Sequence, residues 1–148
     1  MDRFGQKMSQ EFTDMWNVFH DGTIEQIQGH VPGKLQLQIS VEYLRERIPD
    51  EGNAFILTLQ DCSQFVYQEY ESNSTEERLP VIQEKQLGVL NAEKLDRGSR
   101  VFMETGQLDL QSESFLLQLD SGRQLSIDEL KNVAQAYWTE WQAKSNSD

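Results

Sequence analysis

Few residues in this chain are of types that do chemistry, and they are scattered. His20 and Asp21 are neighbours in the stretch Phe19-His20-Asp21-Gly22, and a histidine oriented by a carboxylate is a common general base. Adjacent side chains rarely face each other, however, and Asp-Gly after a helical stretch is ordinary turn punctuation. A base at His20 would therefore need its carboxylate from a distant segment. Cys62 is the single cysteine and His20 and His30 are the two histidines, so a thiol–imidazole pair would have to be assembled from them in space. A lone cysteine between two strand-like stretches reads more simply as a small buried side chain. The motifs HExxH, CxxC, GxSxG, GxxxxGK[ST] and GxGxxG do not occur, nor does a calcium loop of closely spaced carboxylates and glycine. The expectation is no catalytic residue, no cofactor and no metal, and the reading leans away from an enzyme.

Residues suited to recognition are easier to find. Glu69, Glu71, Glu76 and Glu77 form an acidic cluster in and before the polar stretch SNSTEERLP. They are the candidates for charge-based binding of a partner, against the simpler reading of a solvated loop. Near the C-terminus Tyr137, Trp138 and Trp141 fall close together. Aromatics at helical spacing usually pack, and each buries about 150–250 Å². Trp138 and Trp141 are also the second set of candidate partner-binding residues, if they are half exposed beside the acidic stretch. By contrast Arg45-Glu46-Arg47, with acids on either side, reads as a solvated face.

These residues need elements to place them. Over residues 126–142 the apolar set Ile127, Leu130, Val133/Ala134, Tyr137 and Trp141 has helical period. Ser126 and Glu129 fit a capping box, and Asp128 and Glu129 suit the positive end of the helix dipole. This helix is expected to be a main clasp of the core. Met8, Phe12, Met15/Trp16 and Phe19 predict a second amphipathic helix from Ser9, the candidate N-cap, to Phe19, with residues 1–8 a loose lead-in. Residues 34–41 alternate strictly, with Leu35, Leu37, Ile39 and Val41 on one face, so one face is buried and one is wet. They pair with residues 23–30 through Val31-Pro32-Gly33, expected as a type II turn, and the three-residue step from Ile24 to Ile27 implies a bulge.

Residues 43–48 predict one helical turn stopped by Pro49. Residues 54–59 and 64–70, separated by Gln60-Asp61-Cys62-Ser63, read as another hairpin, and residues 72–80 as a long loop. A short helix or linker at 81–86 and a strand at 87–93 follow. Residues 99–105 are expected to continue through a bend or bulge at Gly106 into 107–111, before a last strand at 114–119 and fraying ends at 143–148. Short turns between strands favour antiparallel pairing. The expected fold is α+β: a curved antiparallel sheet or partly open barrel of six to eight strands, covered by the N- and C-terminal helices, in a single domain spanning residues 1–148.

Composition narrows the function classes. With 37% hydrophobic and 26% charged residues the chain has enough apolar material for a core. Asp plus Glu number 25 against 13 Lys plus Arg, a net charge of −12. That field repels phosphate backbones and anionic membranes and attracts basic proteins. One cysteine, no long apolar run and no secretory leader predict a cytoplasmic location.

Several pieces resemble those of a family of small uncharacterised bacterial proteins. These are Trp16-x-x-Phe19-His20-Asp21-Gly22, the turn at 29–37, Tyr43-Leu44-Arg45, Cys62-x-x-Phe65-x-Tyr67, and Leu130 with Tyr137-Trp138-x-x-Trp141. The resemblance implies an α+β fold and transfers no activity. In size and charge the chain is similar to acidic immunity proteins of bacterial toxin systems, which implies a basic protein partner. Two other function classes stay open. One is a small-ligand or enzymatic pocket at the mouth of the sheet, lined by Tyr67, Tyr70, Trp138 and Trp141. The other is a structural homodimer joined through exposed strand edges.

Overall fold

Leu35, Leu37 and Ile39 are completely buried while Lys34 and Gln36 face water, so the period-two pattern is the inner face of a strand. Around it the computed structural model describes the backbone of residues 3–145 and the side chains of residues 10–144. The elements are α1 (Arg3–Val18), β1 (Thr23–Gly29), β2 (Gly33–Ser40), α2 (Glu42–Arg45), β3 (Phe55–Cys62), β4 (Gln64–Glu69) and β5 (Thr75–Glu76). They continue with α3 (Leu79–Gln83), β6 (Val89–Lys94), β7 (Ser99–Met103), β8 (Gly106–Gln111), β9 (Ser114–Leu119) and α4 (Ile127–Ser145).

The protein is α+β, with two antiparallel sheets ordered β1-β2-β3-β9 and β5-β4-β8-β7-β6. The expected antiparallel architecture is correct, but the strands divide between two sheets that do not close into a barrel. The hairpin expected within residues 54–70 does not form. β3 and β4 are two parts of one bent strand, separated by Ser63, and they pair with β9 and β8 respectively. Asp61 sits in the left-handed region at that bend, with φ 51°. Bonds from Ser63 N–H to the Gln111 carbonyl and from Glu113 N–H to the Gln60 carbonyl carry the pairing around the corner. Turn-type residues here bend a strand instead of reversing it. The opposite correction applies at Gly106. The chain reverses there, and β7 and β8 pair antiparallel, Phe102 opposite Gln107. A Cβ on Gly106 would meet the Tyr67 ring and the Gln68 carbonyl, which explains the glycine.

Other local expectations stand with adjustments. The β1–β2 hairpin has its bulge between Ile24 and Gln26, but Gly33 has φ 144°, well away from the roughly +80° of a type II turn. The loop at 72–80 contains β5 and the start of α3. The N-terminal helix begins at Arg3, so the lead-in is helical from there and Ser9 lies inside the helix instead of capping it. Met1 and Asp2, part of that lead-in, lie outside the described residues. At the other end α4 runs through Ser145, past the expected onset of fraying, and residues 146–148 lie outside the described residues. Its capping box is present: Glu129 N–H donates to Ser126 Oγ at 3.1 Å, and Ser126 N–H points back to Glu129 Oε1 at 3.4 Å.

The main clasp of the core is α1, not α4. Met15, Trp16 and Phe19 are completely buried, and α1 reaches both sheets. Phe12 packs on Phe115 of β9 at 5.0 Å and Phe19 on Phe55 of β3 at 5.1 Å. On the other sheet Thr13 shares a buried hydrogen bond of 2.6 Å with Ser99 of β7. Burial of each such Phe or Met side chain contributes about 1.5–3 kcal/mol. α4 lies outside α1, tied by Leu130, Ala134 and a Lys131–Asp14 ion pair of 2.9 Å. Beyond Ala134 it carries no fully buried residue up to Lys144.

Candidate partner-binding surface

Tyr43 on α2 is the floor of an aromatic cluster. Its hydroxyl donates to the His20 carbonyl at 2.6 Å, fixing α2 against the turn after α1. Burial pushes the Tyr43 pKa up to about 12, with repulsion from the charges of Asp21 and of the Tyr137 phenol group adding to it, so the hydroxyl remains a donor. Tyr137 of α4 lies 4.6 Å from Tyr43, Trp138 lies 5.1 Å from Tyr137, and Trp141 lies 5.9 Å from Trp138, centroid to centroid. Trp138 is 41% and Trp141 53% exposed. The packing expected of this aromatic stripe thus holds at Tyr137 and stops there.

Arg47 completes the cluster. Its guanidinium stands 5.7 Å from the Tyr137 centroid and pairs with Glu140. Its Nε is buried without a hydrogen-bond partner. The expected solvated face of Arg45-Glu46-Arg47 is therefore wrong for both arginines. Arg45 is 3% exposed and donates to the carbonyls of Ile48, Asp50, Glu51 and Ala54 and to Asp120 Oδ1.

The acidic candidates lie elsewhere, on β4, β5 and the turns beside them. Glu69 pairs with Lys85 at 2.9 Å. Glu76 accepts from the Arg78 side chain and backbone, and those bonds lower its pKa to about 2. Half of the cluster is thus internally matched. Glu71 is exposed, and Glu77 lines a cleft of about 410 Å³ with Ile27, His30, Val31, Leu79 and Pro80. α4 packs on α1 and α2, whereas the acidic stretch belongs to the β4–β5 edge and α3, so the structure gives two separate surfaces. The four aromatics considered for a pocket are divided too. Tyr67 is buried, its hydroxyl bonded to Thr105 at 2.7 Å, and Tyr70 is exposed at the end of β4.

The residues with catalytic types are occupied structurally. His20 Nδ1 donates to the Leu90 carbonyl at 2.6 Å, and its Nε2 lies 3.4 Å from Asp21. The Cys62 thiol is buried and bonded to the Gln64 carbonyl at 3.3 Å; burial raises its pKa, the reverse of what a thiolate nucleophile needs. Among the described residues no group of three or more His, Cys, Asp or Glu side chains is arranged to hold a metal, and no helix is long and apolar enough to cross a membrane.

Sequence reasoning selected Trp138 and Trp141 but missed Tyr43 and Arg47 beside them. The spacing of Tyr43 and Arg47, four residues apart across one helical turn, is a usable signal, because such pairs share a face. No protein-family model, curated protein or solved structure matches the chain. The resemblances drawn from its motifs and charge therefore rest on its own residues.

Proposed function

We propose that this protein is a non-enzymatic binding module that masks a basic protein partner, in the manner of an immunity-type protein, and that the α2–α4 aromatic face is its contact surface. The observation that carries the reading is the half-exposed pair Trp138 and Trp141, continuous with Tyr137, Tyr43 and Arg47. Trp, Tyr and Arg are the residues that dominate binding energy at protein interfaces. Rings held against one another lose little freedom on binding, which favours their use as anchors. The −12 charge adds long-range attraction for a basic partner and makes the encounter salt-sensitive.

Strand-edge dimerisation has less support. The Asn17 side chain bonds both the N–H and the carbonyl of Ala92 on β6, and Gln83 accepts from Ile27 N–H on β1. Those bonds occupy groups that an added strand would need.

The test is a parallel pull-down from cells of the source organism with the native protein and a Trp138→Ala/Trp141→Ala variant, at low and moderate salt. A basic protein held by the native chain, weakened by salt and lost from the variant is the expected result. Recovery of no partner at either salt concentration, or equal recovery by both baits, defeats the proposal.

A further inference from the structure

The aromatic face already holds one cation of the protein's own. Arg47 stands over the Tyr137 ring and pairs with Glu140, three residues along the same face of α4. Ring face and carboxylate together thus accept a guanidinium at this surface, through attraction to the ring quadrupole and to the opposite charge. One turn further out the same ingredients recur. Trp138 and Trp141 are half exposed and meet nearly edge to face, with 74° between their planes. Exposed Glu42 on α2 and exposed Glu46 just past it lie near Tyr43 in the chain, and Asp21, 65% exposed, lies close enough to Tyr43 for its charge to act on the hydroxyl. Near these carboxylates lie Arg47, paired with Glu140, and Lys144 at the end of α4. The face is an aromatic floor with a predominantly acidic rim.

Resting on the binding-module reading above, we infer that the Trp138–Trp141 step is a receptor for an arginine side chain on a basic segment of the partner, repeating outside the molecule the contact that Arg47 makes within it. Guanidinium is favoured over ammonium. Its plane stacks on a ring while its edge remains free to donate to a carboxylate, and it is the more weakly hydrated cation. The surface then recognises arginine specifically and does not merely collect positive charge. The cluster at Glu69, Glu71, Glu76 and Glu77 is not needed for this contact.

Three short peptides of one sequence, bearing arginine, lysine or neutral citrulline at the same positions, test it by tryptophan fluorescence at low salt. The arginine peptide is expected to perturb the emission of the native protein at the lowest concentration, lysine to need about tenfold more, and citrulline to have little effect. Trp141→Ala, read through Trp138, is expected to weaken the arginine peptide about tenfold, with Trp141→Phe recovering part of the loss. A Glu71→Gln/Glu77→Gln variant is expected to bind like the native chain. Equal binding of citrulline and arginine overturns the inference, as does an unchanged affinity in Trp141→Ala or a loss in the Glu71→Gln/Glu77→Gln variant. Should a partner protein still depend on Trp138 and Trp141 in the pull-down, that failure removes the arginine contact and leaves the module reading standing. Failure of both experiments removes both.

Discussion

Arg45 ties the loop that follows it to a distant part of the chain. Its five hydrogen bonds collect the chain from Ile48 to Ala54 and tie it to Asp120, which also accepts from the N–H groups of Asn53 and Ala54. Gly52 belongs to the same knot: its φ is +107°, and a Cβ there would strike the Asp120 carboxylate. Arg45→Ala leaves the carbonyls of Ile48, Asp50, Glu51 and Ala54 without this donor, so it is expected to cost about 2–4 kcal/mol in urea unfolding. Asp120 supplies a pH signature. Burial opposes its ionisation, but the bonds from Asn53, Arg45 and Ala54 outweigh that and hold its pKa below the usual carboxylate range. The unfolded chain therefore takes up this proton first as the solution is acidified. The stabilisation is complete above about pH 4, the ordinary aspartate range, and is lost as pH falls through the lower folded value. Asp120→Asn is expected to flatten that acid limb in a series of unfolding curves. None of this was legible in the sequence. The triplet Arg45-Glu46-Arg47 has the composition of a solvated turn, and only partners up to 75 residues away make Arg45 internal.

At the scale of elements, α1 does more than cover apolar surface. Its last turn runs beside β6 and fills the free edge of that strand. Asn17 makes a two-point amide contact with Ala92, His20 donates to Leu90, and Asp21 N–H donates to Val89. Asn17→Ala is expected to cost about 1–2 kcal/mol and to speed hydrogen exchange at the Ala92 amide. The helix itself was legible from Phe12, Met15, Trp16 and Phe19, because periodicity reports a buried face. Its edge-filling role was not, because Asn17 is a polar residue off that stripe. The same distinction accounts for the strands. Alternation at Leu35, Leu37 and Ile39 is a local consequence of burial, so β2 was readable. Asp61-Cys62-Ser63 and Gly106 were misread because turn residues announce a change of direction without its angle. Only the cross-strand partners decide whether the chain bends or reverses. For the candidate site, Trp138 and Trp141 were visible as aromatics. Their exposure was not, because burial along α4 ends at Ala134 while the helical period of the aromatics continues.

The whole molecule is unified by its two bent strands. Residues 55–69 and 106–119 each pass from one sheet to the other, so neither sheet is built from one half of the chain. One buried cluster draws on both sheets and all four helices, Phe12, Leu44, Ile82 and Leu130 among its members. The surface outside it carries most of the −12 charge, and the aromatic face of α2 and α4 interrupts that surface. The bent strands have a practical consequence. Asn73 and Ser74 are exposed between β4 and β5, where a protease or a genetic cut can separate the chain into two polypeptides. The first would hold β1, β2, β3 and β4, and the second β5 to β9, so one sheet would lose its outer strand β9 and the other its inner strand β4. Expressed apart, the two pieces are expected to be unstructured by circular dichroism. Mixed, they are expected to reassemble into the native fold, making the chain a split protein whose halves report each other's presence.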